Sequence, residues 1–171
     1  MPTDLVYKLP GGFECDLAAI DGGWAMAAVS MEDVDDKYVS NMDADREFEA
    51  IKALMLGATY DDWVRAYVEL RPTLSLLESR AGKVETIHTA TAEQFAGLAV
   101  VGDEDPAYVW SDLDDGRWSV RLHHRGETRV LDSGRKVLVD PSSVRDDAGT
   151  LWTAWVSREN EEDVIRVTNE D

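Results

Sequence analysis

Residues 117–123 alternate strictly between polar and apolar side chains, and this pattern constrains the fold more than any other in the chain. Successive side chains of a β-strand point to opposite faces, so the apolar residues would share one face and the polar residues the other. Gly116 ends a turn-like segment before the pattern, and Gly126 ends another after it. The segment therefore predicts a half-buried strand of an antiparallel sheet. Its apolar side is Trp118, Val120 and Leu122, and its polar side is Arg117, Ser119, Arg121 and His123.

Other segments also have the composition of strands. Near the N-terminus these segments are separated by glycine-rich turns at residues 10–12 and 21–23, which favour hairpins. One strand is expected at residues 84–89, and several more follow in the C-terminal part. The predicted strands near the N-terminus are residues 5–9, 13–20 and 24–30, and those after residue 124 are 128–131, 136–139, 151–156 and 164–168.

The middle of the chain has helical periodicity. Apolar residues recur at intervals of three and four between Phe48 and Met55, and Gly57 would end this helix. A second helix would begin at Thr59 and end before Pro72. Residues 74–80 predict a short third helix, and residues 92–99 predict another, because residues 91–94 have capping-box spacing. The expected fold class is α+β, with N-terminal β-hairpins, a helical middle of about three helices, and a C-terminal antiparallel β-sheet or small barrel.

The best candidate for a domain boundary is the acidic, proline-terminated segment 102–106. It would separate an acidic α+β region, residues 1–105, from an antiparallel β region, residues 106–171. A chain of 171 residues also fits one compact domain. Both arrangements remain open, as does the question of whether residues 106–171 fold alone.

The chain has a large excess of acid. Its 35 Asp and Glu against 17 Lys and Arg give a net charge of −18, which repels phosphate backbones and anionic membrane surfaces. Direct binding to nucleic acid or membranes is therefore not expected. The expected partners are proteins, through self-assembly or contact with a basic protein. Adaptation to salt or a GC-rich genome explains the acidity most simply; a surface that imitates nucleic acid is the alternative.

An acidic cluster precedes and enters the first predicted helix. Read as a calcium-binding loop, the cluster places Lys37 or Lys52 at ligand positions, depending on the register, so an EF-hand is excluded. The cluster is either a solvated face or a carboxylate array for a basic partner. The candidate residues for such a partner are Asp33, Asp35, Asp36, Asp43 and Asp45.

Two further groups of residues are candidates for protein interfaces. Trp152 and Trp155 are three residues apart, so in a regular strand they would point to opposite faces and one would leave the core unless a bulge intervened. An outward tryptophan is a good anchor for a partner. On the predicted strand at 117–123, Arg117, Arg121 and His123 share the polar face and could grip a carboxylate-rich surface. The alternative is that these bases neutralise acids of the same chain.

No constellation for catalysis is visible. Cys15 lies between Glu14 and Asp16, which would raise the pKa of its thiol and weaken it as a nucleophile. His123 and His124 are neighbours in a predicted strand, so they would face opposite ways and could not share a metal. Phosphate-binding glycine motifs do not occur. We therefore expect no catalytic residue, cofactor or metal site, and we expect that the protein is not an enzyme.

These observations favour a non-enzymatic structural or assembly protein acting through protein–protein contacts, such as a virion component from a halophilic or high-GC host. The first alternative is an acidic nucleic-acid mimic or immunity-type inhibitor of a basic protein. The second is a small enzyme without a recognisable motif. No signal peptide or membrane-spanning segment is apparent, so the expected location is the cytoplasm, or the virion if the protein is viral.

Overall fold

A computed structural model of the protein describes residues 14–30, 72–159 and 162–170. Within these ranges the chain forms eleven β-strands in three antiparallel sheets and no helix. None of the described residues therefore provides a helix long and apolar enough to cross a membrane. The strands are β1 Glu14–Ile20, β2 Gly23–Ser30, β3 Thr73–Arg80, β4 Lys83–Thr91, β5 Gln94–Val101, β6 Ala107–Asp114, β7 Arg117–His124, β8 Glu127–Gly134, β9 Leu138–Arg145, β10 Leu151–Glu159 and β11 Glu162–Glu170.

The first sheet has the strand order β1-β2-β3-β4. The β1–β2 hairpin turns at Asp21 and Gly22, as the glycine-rich sequence predicts, and Gly22 has the positive φ of 73° that such a turn requires. Gly23 pairs with Arg80 on β3. A Cβ atom at Gly23 would lie 1.6 Å from the carbonyl oxygen of Ser79, so only glycine fits at this position.

The middle sheet has the order β5-β6-β7-β8, and the third sheet has the order β11-β10-β9. The two sheets approach each other closely where β5 and β9 are both irregular. The pairing of β5 with β6 shifts around Gly97, and the pairing of β9 with β10 shifts around Asp140 and Pro141. A Cβ atom at Gly97 would lie 2.9 Å from Cδ of Pro141. The missing side chain therefore allows the middle and third sheets to approach.

The core formed by the described residues has two clusters, one on each side of the middle sheet. Tyr108 and Trp110 of β6 pack against Leu74 and Leu76 of the first sheet. The next residues along β6 point to the other side, because side chains alternate along a strand. The second cluster, between the middle and third sheets, contains Ala107, Val109, Val120, Leu122, Leu138, Leu151 and Trp155.

The expected α+β class is wrong, because every described element is a strand. Residues 74–80, predicted as a helix, lie in β3, and residues 92–99, predicted as a helix, lie largely in β5. β3 is buried on both faces, so the polar Ser75 and Ser79 are covered like its leucines, and its pairing with β4 shifts between Leu76 and Leu77. Both effects remove the regular period of two that identifies a strand. In β5 the bulge at Gly97 interrupts the alternation. The predicted helices at 48–57 and 59–71 and the predicted strand at 5–9 lie outside the described residues.

The strand predicted at residues 117–123 is confirmed by β7, which runs one residue further, to His124. Its polar face meets solvent only in part, at the exposed Arg117 and the half-buried Arg121. Ser119 and His123 are buried, because the first sheet covers the side of the middle sheet that they occupy. The antiparallel pairing predicted for this strand is present on both of its edges.

The segment predicted as a domain boundary connects β5 to β6. These two strands are hydrogen-bonded neighbours in the middle sheet, so pairing crosses the segment. Gly102, its first residue, packs against β1: a Cβ atom there would lie 1.9 Å from the carbonyl oxygen of Ala19. The connection is therefore in contact with the first sheet.

Candidate interaction surface

The third sheet has one buried face and one exposed face, and β10 shows both. Trp155 points inward with 5% of its surface exposed, and its indole Nε1 donates a hydrogen bond to Asp132 Oδ2 at 3.2 Å. Trp152 points outward and is 39% exposed. Of the two tryptophans predicted as interface candidates, Trp155 thus belongs to the core and Trp152 to the surface.

The exposed face of the third sheet carries apolar residues on all three strands, at seven of the nine positions in its three cross-strand rows; the other two are Ser142 and Asn169. In cross-strand register, Trp152 lies between Val144 and Asn169, and Ala154 lies between Ser142 and Val167. The next row brings together Val139, Val156 and Ile165. Three of these side chains are more than half exposed, and Ile165 reaches 73%. We call this set the outer face: Val139, Val144, Trp152, Ala154, Val156, Ile165 and Val167.

A hydrogen bond fixes the tryptophan at one end of the outer face. Trp152 Nε1 donates to Asp146 Oδ2 at 2.9 Å. The other carboxylate oxygen of Asp146 accepts from the backbone N–H groups of Ala148 and Thr150. The hydrogen bond from Trp152, followed by those from the backbone, lowers the pKa of Asp146. The indole is thereby oriented before any partner arrives, which reduces the entropy lost on binding.

An ion pair lies at the other end of the outer face. Arg158 binds Asp163 through two hydrogen bonds, Nε to Oδ1 at 2.8 Å and Nη2 to Oδ2 at 3.2 Å. These contacts lower the pKa of Asp163 and raise that of Arg158, so both groups stay charged and neutralise each other. A groove of about 380 Å³ runs beside the pair and includes Val139 and Val156 of the outer face.

The predicted basic interface residues lie elsewhere. Arg121 Nε is 2.6 Å from Asp112 Oδ2, and that oxygen also accepts the indole N–H of Trp110 at 2.9 Å. Arg117 is exposed, at the beginning of β7, and His123 is 5% exposed. All three of the predicted residues occupy the side of the middle sheet that faces the first sheet. The structure therefore does not bring them together with Trp152.

Most other bases near β7 are matched by carboxylates of the same chain. Three ion pairs join the β7–β8 region to the 102–106 connection, to the end of β11 and to β8 itself. Their N–O distances are 3.6, 3.0 and 3.3 Å, in that order. These pairs are Arg125 with Asp105, Arg129 with Glu170 and Lys136 with Asp132. The basic strip is thus largely neutralised internally and does not present a free anion-binding surface.

A second feature, which the sequence did not indicate, is an aromatic and imidazole cluster between the first and middle sheets. The rings of His88 and His123 stack with centroids 4.9 Å apart. Tyr108 meets His123 edge-on at 6.1 Å, and Trp110 lies 5.9 Å from His88. The two histidines are 35 positions apart in the sequence, so no local motif could indicate this contact. A cleft of about 390 Å³ lies beside His123. Arg80 and Glu78 both line this cleft and form an ion pair, with Arg80 Nε 3.1 Å from Glu78 Oε2.

Histidine, cysteine and acidic side chains are spread over the described part of the chain. No group of three or more His, Cys, Asp or Glu side chains there is placed to hold a metal ion. Cys15 is an exposed thiol on β1. The five acidic candidates for a basic partner, Asp33, Asp35, Asp36, Asp43 and Asp45, lie outside the described residues.

No protein-family model, curated protein or solved structure matches this chain. The outer face therefore has to be interpreted from its own chemistry. That chemistry combines an apolar sheet face, an oriented indole and a neutralised ion pair in a chain of net charge −18.

Proposed function

We propose that this protein is a non-enzymatic assembly protein that associates with a second copy of itself through the outer face of its third sheet. The observation that carries the proposal is the exposure of Trp152, Val144, Ile165 and Val167 on one face. A contiguous apolar patch on a soluble domain is characteristic of an interaction site. An exposed tryptophan is the side chain most often found as an energetic anchor of such sites.

Charge favours a second copy over a basic partner. The charged pair at the end of the outer face, Arg158 and Asp163, is already neutralised, and Asp146 accepts the indole N–H of Trp152. The face thus offers little attraction to a basic protein. Two copies, each of charge −18, can approach most closely where their surfaces carry little net charge. The apolar outer face meets this requirement.

Sheet geometry suits such a pairing. Two antiparallel sheets pack face to face about 10 Å apart, with their strands about 30° from parallel. A pair related by a two-fold axis would place the same patch on both sides of the interface. Three strands about 4.8 Å apart, each of about nine residues with a rise of about 3.3 Å per residue, give the whole sheet face an area of roughly 400 Å² in projection. Stable interfaces bury about 800 Å² per partner, so we expect weak, concentration-dependent association.

The test is the molar mass in solution as a function of protein concentration, in dilute buffer and in molar KCl. At 1 M salt the screening length is about 3 Å, so repulsion between the acidic copies is suppressed while burial of apolar surface is retained. Association should therefore increase with both concentration and salt. A monomer at every salt and concentration would refute the proposal.

A matched pair of variants tests whether the association uses the outer face. Ile165→Lys places a charge on the outer face, whereas Leu17→Lys places one at a similarly exposed apolar position on β1. Ile165→Lys should keep the protein monomeric in molar KCl, and Leu17→Lys should associate like the wild type. Equal association by both variants would show that another surface is responsible.

A further inference from the structure

The two stacked histidines lie where two sheets meet. His88 belongs to β4, one of the two edge strands of the first sheet, and His123 belongs to β7 in the middle sheet. Their ring planes are inclined by 23°. His123 Nδ1 is 2.8 Å from the hydroxyl of Thr128 on β8, which fixes the orientation of its ring. The imidazole contact thus links an edge strand to the core of the fold.

The surroundings of the pair favour uncharged imidazoles. Burial lowers the pKa of His88, and the nearby Arg121 guanidinium lowers it further. Burial also lowers the pKa of His123; His88 and His124 add to this effect, while Glu78 opposes it. The titratable and charged groups around the pair are Glu78 and Arg80 on β3, Tyr108 and Asp112 on β6, Arg121 and His124 on β7, and Asp105 and Arg125 at the rim of the adjacent cleft.

Protonation would make the contact between the two imidazole rings unfavourable. A proton on either ring places a cation against its stacked neighbour and close to Arg121, at a contact in which His123 is buried and His88 is half-buried. The neighbouring carboxylate of Asp112 already binds both Arg121 and the indole of Trp110, so it is not available to compensate. We propose that His88 and His123 form a pH-sensitive contact that holds β4 against the middle sheet at neutral pH and releases it in mild acid.

The direction of the pH effect follows from linkage. Both histidines have a lower pKa in the folded protein than in the unfolded chain, where it is about 6.5. The unfolded or locally opened state therefore binds more protons below that pH. The stabilisation is fully present above about pH 7.5 and decreases as the pH falls through about 6.5 towards the folded pKa values. Most carboxylates titrate near pH 4, so the range from about pH 8 to about pH 5.5 isolates the histidines.

The experiment is hydrogen exchange of backbone amides across that pH range, corrected for intrinsic exchange rates and made on dilute protein, so that self-association does not contribute. The protection of β4 amides should fall several-fold from about pH 8 to about pH 5.5, while that of β10 amides, in the third sheet, should change little. His88→Phe keeps a ring in the stack but leaves only His123 to be protonated, so in this variant the loss in β4 should be clearly smaller. Unchanged protection of β4 in the wild type, or an undiminished loss in His88→Phe, would overturn the proposal.

A second measurement does not depend on any variant. The ring resonances of the three histidines of the wild-type protein can be titrated by NMR. His88 and His123 should titrate below the ordinary histidine pKa of about 6.5, and the titration of each should perturb the ring resonances of the other. Independent titration of both at the ordinary value would contradict the proposed coupling.

Discussion

Both faces of the third sheet carry apolar side chains, but one face is buried and the other is exposed. The inner face, with Leu138, Leu151 and Trp155, is buried against the middle sheet. The outer face, with Trp152 and Ile165, is left exposed by the described chain. An antiparallel sheet with one solvated face normally alternates apolar inward and polar outward residues. The third sheet departs from this rule, and an apolar outer face is what a sheet that packs on a partner requires.

The largest expected effect on stability comes from a substitution on the inner face. Trp155→Ala removes a fully packed indole and its hydrogen bond to Asp132. Truncation of a buried tryptophan costs about 3–5 kcal/mol, which is a large part of the stability of an ordinary domain. Urea denaturation should show this loss or an unfolded protein. A loss below about 1 kcal/mol would mean that Trp155 is not a core residue.

The next effect concerns the approach of the middle and third sheets. Gly97→Ala places a methyl group against Pro141 in a backbone with a φ of 93°, and strain of this kind costs about 1–3 kcal/mol. Gly82→Ala is the control, because Gly82 also has a positive φ, of 77°, but has no atom within 4 Å of the added methyl group. Gly97→Ala should be the more destabilising of the two in urea. Equal losses would indicate that only the backbone conformation matters.

The smallest expected effect on stability is on the outer face. Trp152→Ala truncates a partly exposed side chain and removes its hydrogen bond to Asp146, so it should lower the free energy of unfolding by only about 1 kcal/mol. The same substitution should clearly weaken self-association in molar KCl, measured by light scattering. If Trp152→Ala destabilised the monomer as much as Trp155→Ala, the distinction between the two faces would fail.

Much of the strand content could be predicted from local sequence, because alternation and glycine turns are local signals. The opposite orientation of Trp152 and Trp155 follows from their spacing of three and is confirmed. The helix expected over residues 74–80 was wrong because β3 buries serines as well as leucines and because its pairing with β4 shifts between Leu76 and Leu77, which breaks the alternation that identifies a strand. Whether an apolar residue is covered depends on strands distant in sequence.

The histidine cluster shows the same limit for the candidate sites. The adjacent pair, His123 and His124, was visible in the sequence and does diverge: His123 stacks on His88, whereas His124 Nδ1 lies 2.6 Å from Glu170 Oε2. The partner of each histidine is fixed by the order in which the sheets stack. No spacing in the sequence carries that information.

The most direct test of the outer face as an interface is chemical cross-linking between copies. In a Cys15→Ser background, Val167→Cys places a thiol on the outer face, and Leu17→Cys places one on β1; both native side chains are 60% exposed. Each variant is treated with a short bis-maleimide in molar KCl, and covalent dimers are quantified by gel electrophoresis. We predict that dimers accumulate for Val167→Cys and stay at the level of random collision for Leu17→Cys. Equal yields from the two positions would contradict the account.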